Sequence, residues 1–511
     1  MISILVSFCI VAFGQNSWCA LLGPCAALFG FALFWKNNKG CFWIGTLWFT
    51  AIQLVQLSWM TSIEFQGIYI LFIWTLLSLW LGLQFGVITF LLRKPLNIRS
   101  ILAVTSLWTL MEWGRMHILC GFSFNPVGLS LATSLYSMQF AAIFGILGLS
   151  FWVILVNLCL LSKRFMLWGG LALFPYLFGL GYLLCSDFKD KGELKVALVQ
   201  TGLLPSEKAL FGGRADAYIS PYIQWQRIIH YLKEKEDAPW DFIILPESAL
   251  PFSAEDLIYN AEYVKNILTE EGIKTPENVQ PKVSNLFWLE ALSNHYQTHV
   301  IAGLDGRDFK KNKHYAAGYH TFPQLKGYNR YEKRILVPLA EYLPFFWLKP
   351  LVASYGISDF FTHGKRAKVF QGPVPFAISI CYEETFPNLM RESRLEGAEL
   401  FVNLTNDNWY PSSRLPEQHF DLGRIRAVEN GVPLVRACNS GVTAAVDSSG
   451  RTTAVFQGKS GVLSTKISLN CRKTLYTFWG DGGIIGLSLF FFVLNYFFTK
   501  EIILLKKLQL S

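Results

Sequence analysis

The sequence predicts two architectures in one chain: a polytopic α-helical membrane domain of about eight transmembrane helices, and an extracytoplasmic α/β domain. Three observations carry this. The 511 residues are 52% hydrophobic and 16% charged, with a mean hydropathy of +0.33, whereas soluble globular chains hold about 25% charged residues. Apolar runs close to the ~20 residues that cross a bilayer recur through residues 1–185 and again at 481–499. Between them, residues 193–470 alternate β-rich runs with helical patterns, as sheets covered by helices do.

The candidate spans lie at 2–14, 17–35, 41–60, 68–92, 101–120, 136–161, 166–185 and 481–499. The first is short, so its length leaves open whether it crosses fully, and Gly14-Gln15-Asn16 must turn it tightly into the second. No basic segment precedes it and no clear cleavage site follows, so it does not read as a removed signal peptide. Orientation follows from cations in short loops. Lys36, Lys39, Arg93, Lys94, Arg99, Lys163, Arg164, Lys500, Lys506 and Lys507 occupy alternate loops and the tail, while Thr61–Gly67 and Gly121–Ser134 contain none. This predicts cytoplasmic termini, with residues 186–480 outside the cytoplasm and tethered at both ends. The same distribution places the +9 net charge beside lipid and excludes nucleic acid as a partner.

Glu112, Arg115 and His117 interrupt the fifth span near its outer end. Glu112 and Arg115 are three residues apart and share a helix face. Charges inside a membrane are costly and usually serve a purpose. Two readings stand: a structural ion pair, or a site for a phospholipid headgroup or polar substrate.

In the polar stretch, strands are expected at Lys195–Gln200, Asp241–Leu245, Thr298–Leu304, Arg334–Val337, Val374–Cys381, Leu400–Leu404, Pro433–Ala437 and Thr443–Val446. Helices are expected at Ala217–Glu234, Val283–Tyr296, Glu384–Glu396 and Glu417–Asn430. Of the ten cysteines, Cys9, Cys19, Cys25, Cys41, Cys120, Cys159 and Cys185 fall in apolar segments and act as small hydrophobes. Cys381, Cys438 and Cys471 remain, and their spacing is neither a zinc motif nor a disulfide framework. His314, His363 and His419 are scattered and read as structural or surface residues. With no P-loop or dinucleotide fingerprint, neither metal nor cofactor is expected.

Three strings each place a reactive side chain at a strand end. Leu245-Pro246-Glu247-Ser248 offers a carboxylate, Tyr331-Glu332-Lys333-Arg334 an ammonium, and Ile380-Cys381-Tyr382-Glu383 a thiol. A base, a charge stabiliser and a nucleophile are what acyl transfer through a thioester requires. Cys381 at a strand-to-helix turn is expected to feel the helix N-terminus, which favours thiolate, and the Tyr382 amide is placed to donate to an oxyanion.

These strings resemble the Glu-Lys-Cys triad of the nitrilase superfamily, and more closely its membrane-bound branch, the bacterial apolipoprotein N-acyltransferases. The resemblance rests on Pro246-Glu247-Ser248-Ala249-Leu250-Pro251, on Tyr331-x-Lys333-x-x-Leu336-Val337-Pro338-x-x-Glu341-Tyr342-x-Pro344, and on Ile380-Cys381-Tyr382-Glu383. It extends to Asn403–Trp409, to Arg424-x-Arg426-Ala427-x-Glu429-Asn430 and to Glu112-Trp113-x-Arg115 followed by Gly121-Phe122. The chain departs from the family at Tyr315-Ala316-Ala317, Gln200-Thr201-Gly202 and Ala437-Cys438-Asn439-Ser440-Gly441.

The resemblance implies a nitrilase-like αββα sandwich over 193–470 and a bacterial inner-membrane enzyme with a periplasmic catalytic domain. Glu247 is then the base, Lys333 the oxyanion stabiliser and Cys381 the nucleophile. Glu341 would hold Lys333 or the substrate, Tyr382 and Glu383 would line the site, and Trp409 would stand near the acyl entrance. The implied reaction moves an acyl chain from a phospholipid to Cys381, then to the α-amino group of a diacylglyceryl-cysteine on an apolipoprotein. Tyr342–Phe361, rich in aromatics, reads either as an arm reaching the bilayer or as a core segment. Two rivals remain: a membrane-tethered amidase that hydrolyses the same acyl-enzyme, and a transporter or receptor without chemistry. A tether needs one or two spans, against roughly 200 residues invested here, and a binding protein would tolerate Cys381→Ser.

Overall fold

The computed structural model describes residues 2–94, 96–185, 192–208, 217–235, 237–275, 280–324, 327–345, 347, 349–350 and 360–508, with side chains to residue 495. The chain forms two compact units: Met1–Asp187 with Val428–Asn430 and Lys473–Ser511, and Phe188–Ala427 with Gly431–Arg472.

The first unit is helical. Ile2–Phe13, Ala20–Asn38, Phe42–Gln56, Tyr69–Leu91, Ile98–Arg115, Ala141–Leu161, Phe165–Cys185 and Asp481–Leu508 each coincide with an expected span. By length and composition four of them can cross a membrane: Ala20–Asn38, Tyr69–Leu91, Ala141–Leu161 and Phe165–Cys185. Ile98–Arg115 is diluted by Arg99, Glu112 and Arg115, and Phe42–Gln56 has only 15 residues.

Small residues set the helix packing. A Cβ at Gly82 would lie 2.0 Å from Thr50 Oγ1, and one at Gly45 would lie 2.5 Å from Thr89 Oγ1, so Phe42–Gln56 and Tyr69–Leu91 approach along a small-residue seam. Beside it, Trp48 stacks on Phe34 at 4.1 Å and Trp35 on Phe85 at 5.2 Å between ring centroids.

Glu112 and Arg115 are buried and approach to only 3.9 Å. Each instead bonds the following loop: Val127 N donates to Glu112 Oε1 at 2.9 Å, and Arg115 donates to the Phe124 carbonyl at 3.0 Å. The shared face is as expected, but the loop's orphan backbone groups take the charges. From that loop, Asn125 donates to Gln53, Gln53 to Gln56, and Gln56 to the Val11 carbonyl. This chain of amides satisfies polar groups at helix ends where lipid offers no partner.

The second unit contains two six-stranded sheets. The first uses β1 (Glu193–Gln200), β2 (Phe242–Leu245), β3 (His299–Asp308), β4 (Lys313–Thr321) and β5 (Asn329–Glu332). The second uses β6 (Val369–Phe370), β7 (Phe376–Ile380), β8 (Leu400–Thr405), β9 (Leu434–Cys438), β10 (Ala444–Val446) and β11 (Thr452–Val455). Strand β12 (Gly461–Ser468) returns to the first sheet, whose order is β12-β1-β2-β3-β4-β5; the second runs β11-β10-β9-β8-β7-β6. Strands β1, β2 and β3 are parallel, as are β7, β8 and β9, and the outer pairings are antiparallel.

Alternation builds the layers. Val196, Leu198, Phe242, Ile244 and Ile301 meet Ile378, Ile380, Val402, Leu404 and Val435 between the sheets. The opposite face of the first sheet, through Ala197, Val199, Ile243 and Leu245, packs on Trp225, Ile228, Leu268 and Trp288 of covering helices. The opposite face of the second, through Ala377, Phe401 and Leu434, packs on Leu389, Met390 and Phe420. Successive residues of one strand thus serve different layers, and the result is an αββα sandwich.

One expected strand is absent. Arg334–Val337 is not paired; the strand of that region is Asn329–Glu332, so Lys333 follows a strand instead of preceding one. The cause is hydrogen bonding: the Arg334 and Ile335 amides are taken by the Glu383 carboxylate, and the Val337 amide by Glu341. No ladder can form with those amides spent.

Candidate active site

Chain direction brings three strand ends together. Glu247 lies two residues beyond β2, Cys381 directly beyond β7, and Lys333 directly beyond β5, which runs parallel to β3 because two antiparallel steps separate them. The carboxyl ends of parallel strands are where α/β folds place their sites.

Lys333 is the centre of charge. It is 1% exposed, and its Nζ donates to Glu247 Oε1 at 3.0 Å and to Glu341 Oε1 at 2.6 Å. Glu341 Oε2 accepts the Val337 amide at 2.8 Å. Burial works against the ammonium, but Glu247, Glu341 and Cys381 hold the Lys333 pKa well above the usual lysine range. Burial also raises Glu341, against the pull of Lys333.

Cys381 sits at φ +51, a conformation that non-glycine residues rarely adopt and that clusters at functional turns. It opens a 3-10 turn, Cys381–Thr385, and the α-helix starts only at Pro387. The expected thiolate-favouring helix terminus is therefore missing. Burial and the Glu247 charge raise the thiol well above its usual pKa, against Lys333 and the Asn406 amide, which donates to the sulfur. These surroundings favour the thiol over the thiolate, so attack calls for a base.

Glu383 supports the two loops. Fully buried, it accepts from the Arg334 amide at 2.6 Å, the Ile380 amide at 2.8 Å and the Tyr331 hydroxyl at 3.0 Å. It ties the Lys333 segment to the Cys381 turn and faces loop amides. The Tyr382 ring packs edge-on against Phe386 at 5.0 Å, next to the helix-facing core of the second sheet. Trp409 is 37% exposed at the end of the turn Asp407–Trp409. Glu112 and Arg115 belong to the helical unit. In Tyr342–Phe361, Phe345 and Trp347 are exposed, while residues 346, 348 and 351–359 lie outside the described residues.

Sequence reasoning missed a second charged cluster. Arg436 Nε donates to Glu384 at 2.8 Å, its other nitrogens to Asp407 at 3.1 Å and to the Val442 carbonyl at 2.7 Å. His419 lies 2.9 Å from Asp407 and 3.1 Å from the Cys381 carbonyl. His419 is buried and holds the Cys381 turn, which fits the structural one of its two readings and excludes the surface one. Burial would raise Asp407, but Arg436 and His419 bring it down to about 2. Atoms of Cys381, Asp407 and His419 lie within 4.8 Å of one another; both ring nitrogens and both Asp407 oxygens are already engaged. The legible signal was Arg436 within an apolar strand, since a guanidinium there must find carboxylates.

Comparison with known proteins agrees with both units. The carbon-nitrogen hydrolase family model matches residues 195–475, and the apolipoprotein N-acyltransferase N-terminal domain matches residues 7–159. The chain is 32% identical to the apolipoprotein N-acyltransferase of Chlamydia caviae, with 96% of each chain covered. It is 34% identical to that of Chlamydia pneumoniae, with 93% of each covered, and 28% identical to that of Geobacter metallireducens over 85% of this chain and 80% of the relative.

Proposed function

The chain belongs to the apolipoprotein N-acyltransferases of the carbon-nitrogen hydrolase superfamily, and from that premise we propose how its residues carry the reaction. It is a membrane protein that acylates apolipoproteins. Eight helices span the bilayer, residues 1–185 and 481–499 form the membrane domain, and residues 193–470 form the catalytic domain on the periplasmic side. The acyl donor is a phospholipid and the acceptor a diacylglyceryl-cysteine N-terminus.

Glu247 takes the Cys381 proton as Sγ adds to the ester carbonyl of the donor. Lys333 and the Tyr382 amide stabilise the oxyanion. The intermediate collapses to a thioester, and Glu247 returns the proton to the departing lysophospholipid oxygen. The neutral α-amine of the acceptor then adds to the thioester and gives a proton to Glu247. Loss of the Cys381 sulfur leaves an amide, and the sulfur regains the proton from Glu247, restoring both groups. This is ping-pong chemistry. Glu341 holds Lys333 so that one ammonium faces the reacting carbonyl.

The observation that carries this reading is the buried Lys333 held between Glu247 and Glu341 at the strand ends that also bear Cys381. The test is intact mass after incubation with phospholipid and no acceptor. One acyl adduct, absent in Cys381→Ala, is expected. Free fatty acid accumulating without an adduct would favour a hydrolase.

A further inference from the structure

The amide relay of the helical unit has an unfinished end. Gln56 Nε2 donates to the Val11 carbonyl at 3.0 Å and to the Ala12 carbonyl at 3.3 Å. Gln53 Nε2 donates to Gln56 Oε1 at 3.0 Å, and Asn125 Nδ2 to Gln53 Oε1 at 3.2 Å. A backbone carbonyl only accepts, so the first bond fixes which way the Gln56 amide faces, and each bond fixes the next. Turning any one of the three amides over would set oxygen against oxygen or nitrogen against nitrogen. The relay therefore presents Asn125 Oδ1 at its far end. That atom is buried and has no hydrogen-bond partner among the described residues.

A second acceptor of this kind faces the same space. Gln15 sits in the turn after helix Ile2–Phe13, where its amide donates to the Phe13 carbonyl at 3.0 Å and its carbonyl accepts from the Trp18 amide at 3.1 Å. It is 7% exposed, and its Oε1 is also buried without a hydrogen-bond partner among the described residues. Gln15 and Asn125 line one cavity of about 20 Å³ together with Gln53, Gln56 and Ser130. All of its lining residues except Val127 are buried. The Ser130 hydroxyl is turned to the Val127 carbonyl at 2.8 Å, and the remaining walls, Phe31 and Phe49 among them, are apolar.

Two buried acceptors call for two donated protons. A buried acceptor left unpaired is costly, and lipid tails offer no donor. One water carries two O–H donors, the number the two oxygens lack. Size agrees: a water needs about 10–15 Å³, and the roughly 20 Å³ here is too small for a phospholipid headgroup.

We propose that this cavity is a binding site for one structural water, which donates to Gln15 Oε1 and to Asn125 Oδ1. It joins the turn after the first helix to the loop that follows Ile98–Arg115. That loop is the one whose Val127 amide and Phe124 carbonyl are taken by Glu112 and Arg115. The water thus ties the polar turn of the short first helix into the same network as the two intramembrane charges. The site stands apart from the acyl-transfer steps and does not depend on them.

The experiment is a density map of the full chain in a phospholipid nanodisc, at a resolution that shows ordered water. A compact peak is expected within hydrogen-bond distance of both oxygens, roughly 2.5–3.0 Å. A dry cavity would overturn the proposal. So would density that runs on into a lipid chain, since the guest would then be a headgroup. Thermal unfolding in the same nanodisc gives a second reading. Gln15→Met leaves the water with one acceptor and is expected to lower the midpoint by about 2 °C or more. An unchanged or higher midpoint would overturn the proposal, because replacing an unpaired acceptor in a dry cavity by an apolar side chain is neutral or stabilising. If Gln15→Met fails to fold, the map still decides, since it needs no substitution.

Discussion

The carboxylates around Lys333 and those around Arg436 are both largely hidden from water, those at Arg436 the more completely, yet they hold protons in opposite ways. Asp407, beside Arg436 and His419, is brought down to about 2. Asp305 is pushed up to about 7, and Glu341 and the Cys381 thiol are also raised. The difference is the supply of cations and donors. Arg436 directs its fork at Glu384, Asp407 and a carbonyl, and His419 adds a further partner. Lys333 serves Glu247 and Glu341 with one point charge, and a third carboxylate and a thiol crowd the same space. Burial alone therefore decides nothing. The ratio of cations to carboxylates decides whether a buried cluster is a clamp or a place where protons move.

The comparison breaks first at Lys333. Lys333→Met is expected to slow acyl-enzyme formation by about 10³-fold or more, as loss of a principal oxyanion stabiliser does. Rapid-quench intact mass measures it, and a loss under tenfold would mean that the ammonium is only a strut. Arg436→Met attacks the clamp instead. It leaves Glu384 and Asp407 buried without their cation and should cost about 3–5 kcal/mol of stability, read as a lower thermal midpoint in detergent. If its unfolding is unchanged while acylation fails, the cluster is catalytic and the contrast between clamp and proton-moving site is wrong.

The smallest effect is the sharpest, because the two aspartates must show opposite pH slopes. Asp407 is depressed in the folded chain, so its contribution is present above the usual carboxylate value of 3.8 and is lost as pH falls toward about 2. That drop is worth on the order of 2 kcal/mol. Asp305 is raised, so folding favours its protonated form; its contribution is present below 3.8 and is lost as pH climbs through about 7. Asp407→Asn should therefore destabilise at neutral pH and be nearly silent near pH 2. Asp305→Asn should be silent near pH 4 and stabilise near pH 8, the opposite slope. Unfolding tracked across pH distinguishes them, and parallel slopes would sink the comparison.

Local pattern carried much of the fold. Central strands β1, β2, β3, β7, β8 and β9 were legible as apolar runs because both faces are buried. Strands β4 and β5 were not, since Lys313–Thr321 and Asn329–Glu332 mix polar residues with tyrosine and histidine and owe their pairing to neighbours. The helix Ala261–Glu270 also went unread. Within the site, Glu247, Lys333, Glu341 and Cys381 stand in recognisable strings. His419 could be read only as structural or surface, and its hold on the Cys381 turn was not legible because its partners Asp407 and Cys381 are distant in sequence. Glu383 could be seen beside the nucleophile, but its work on the Arg334 and Ile335 amides depends on a contact across about 50 residues.

By itself the sequence determined the division into apolar helices and an α/β region, the strand ends that bear the reactive groups, and the residue types available for acyl transfer. Those arise from periodicity, span length and side-chain chemistry, all local properties. Tertiary structure alone decided which protons are held and which amides are free to pair. It raised the Cys381 thiol above its usual pKa, turned Arg334–Val337 away from a sheet, and brought strand β3 with Asp305 against Glu247. The reason is physical: desolvation and charge–charge coupling depend on distances between segments far apart in the chain, and only folding sets those distances.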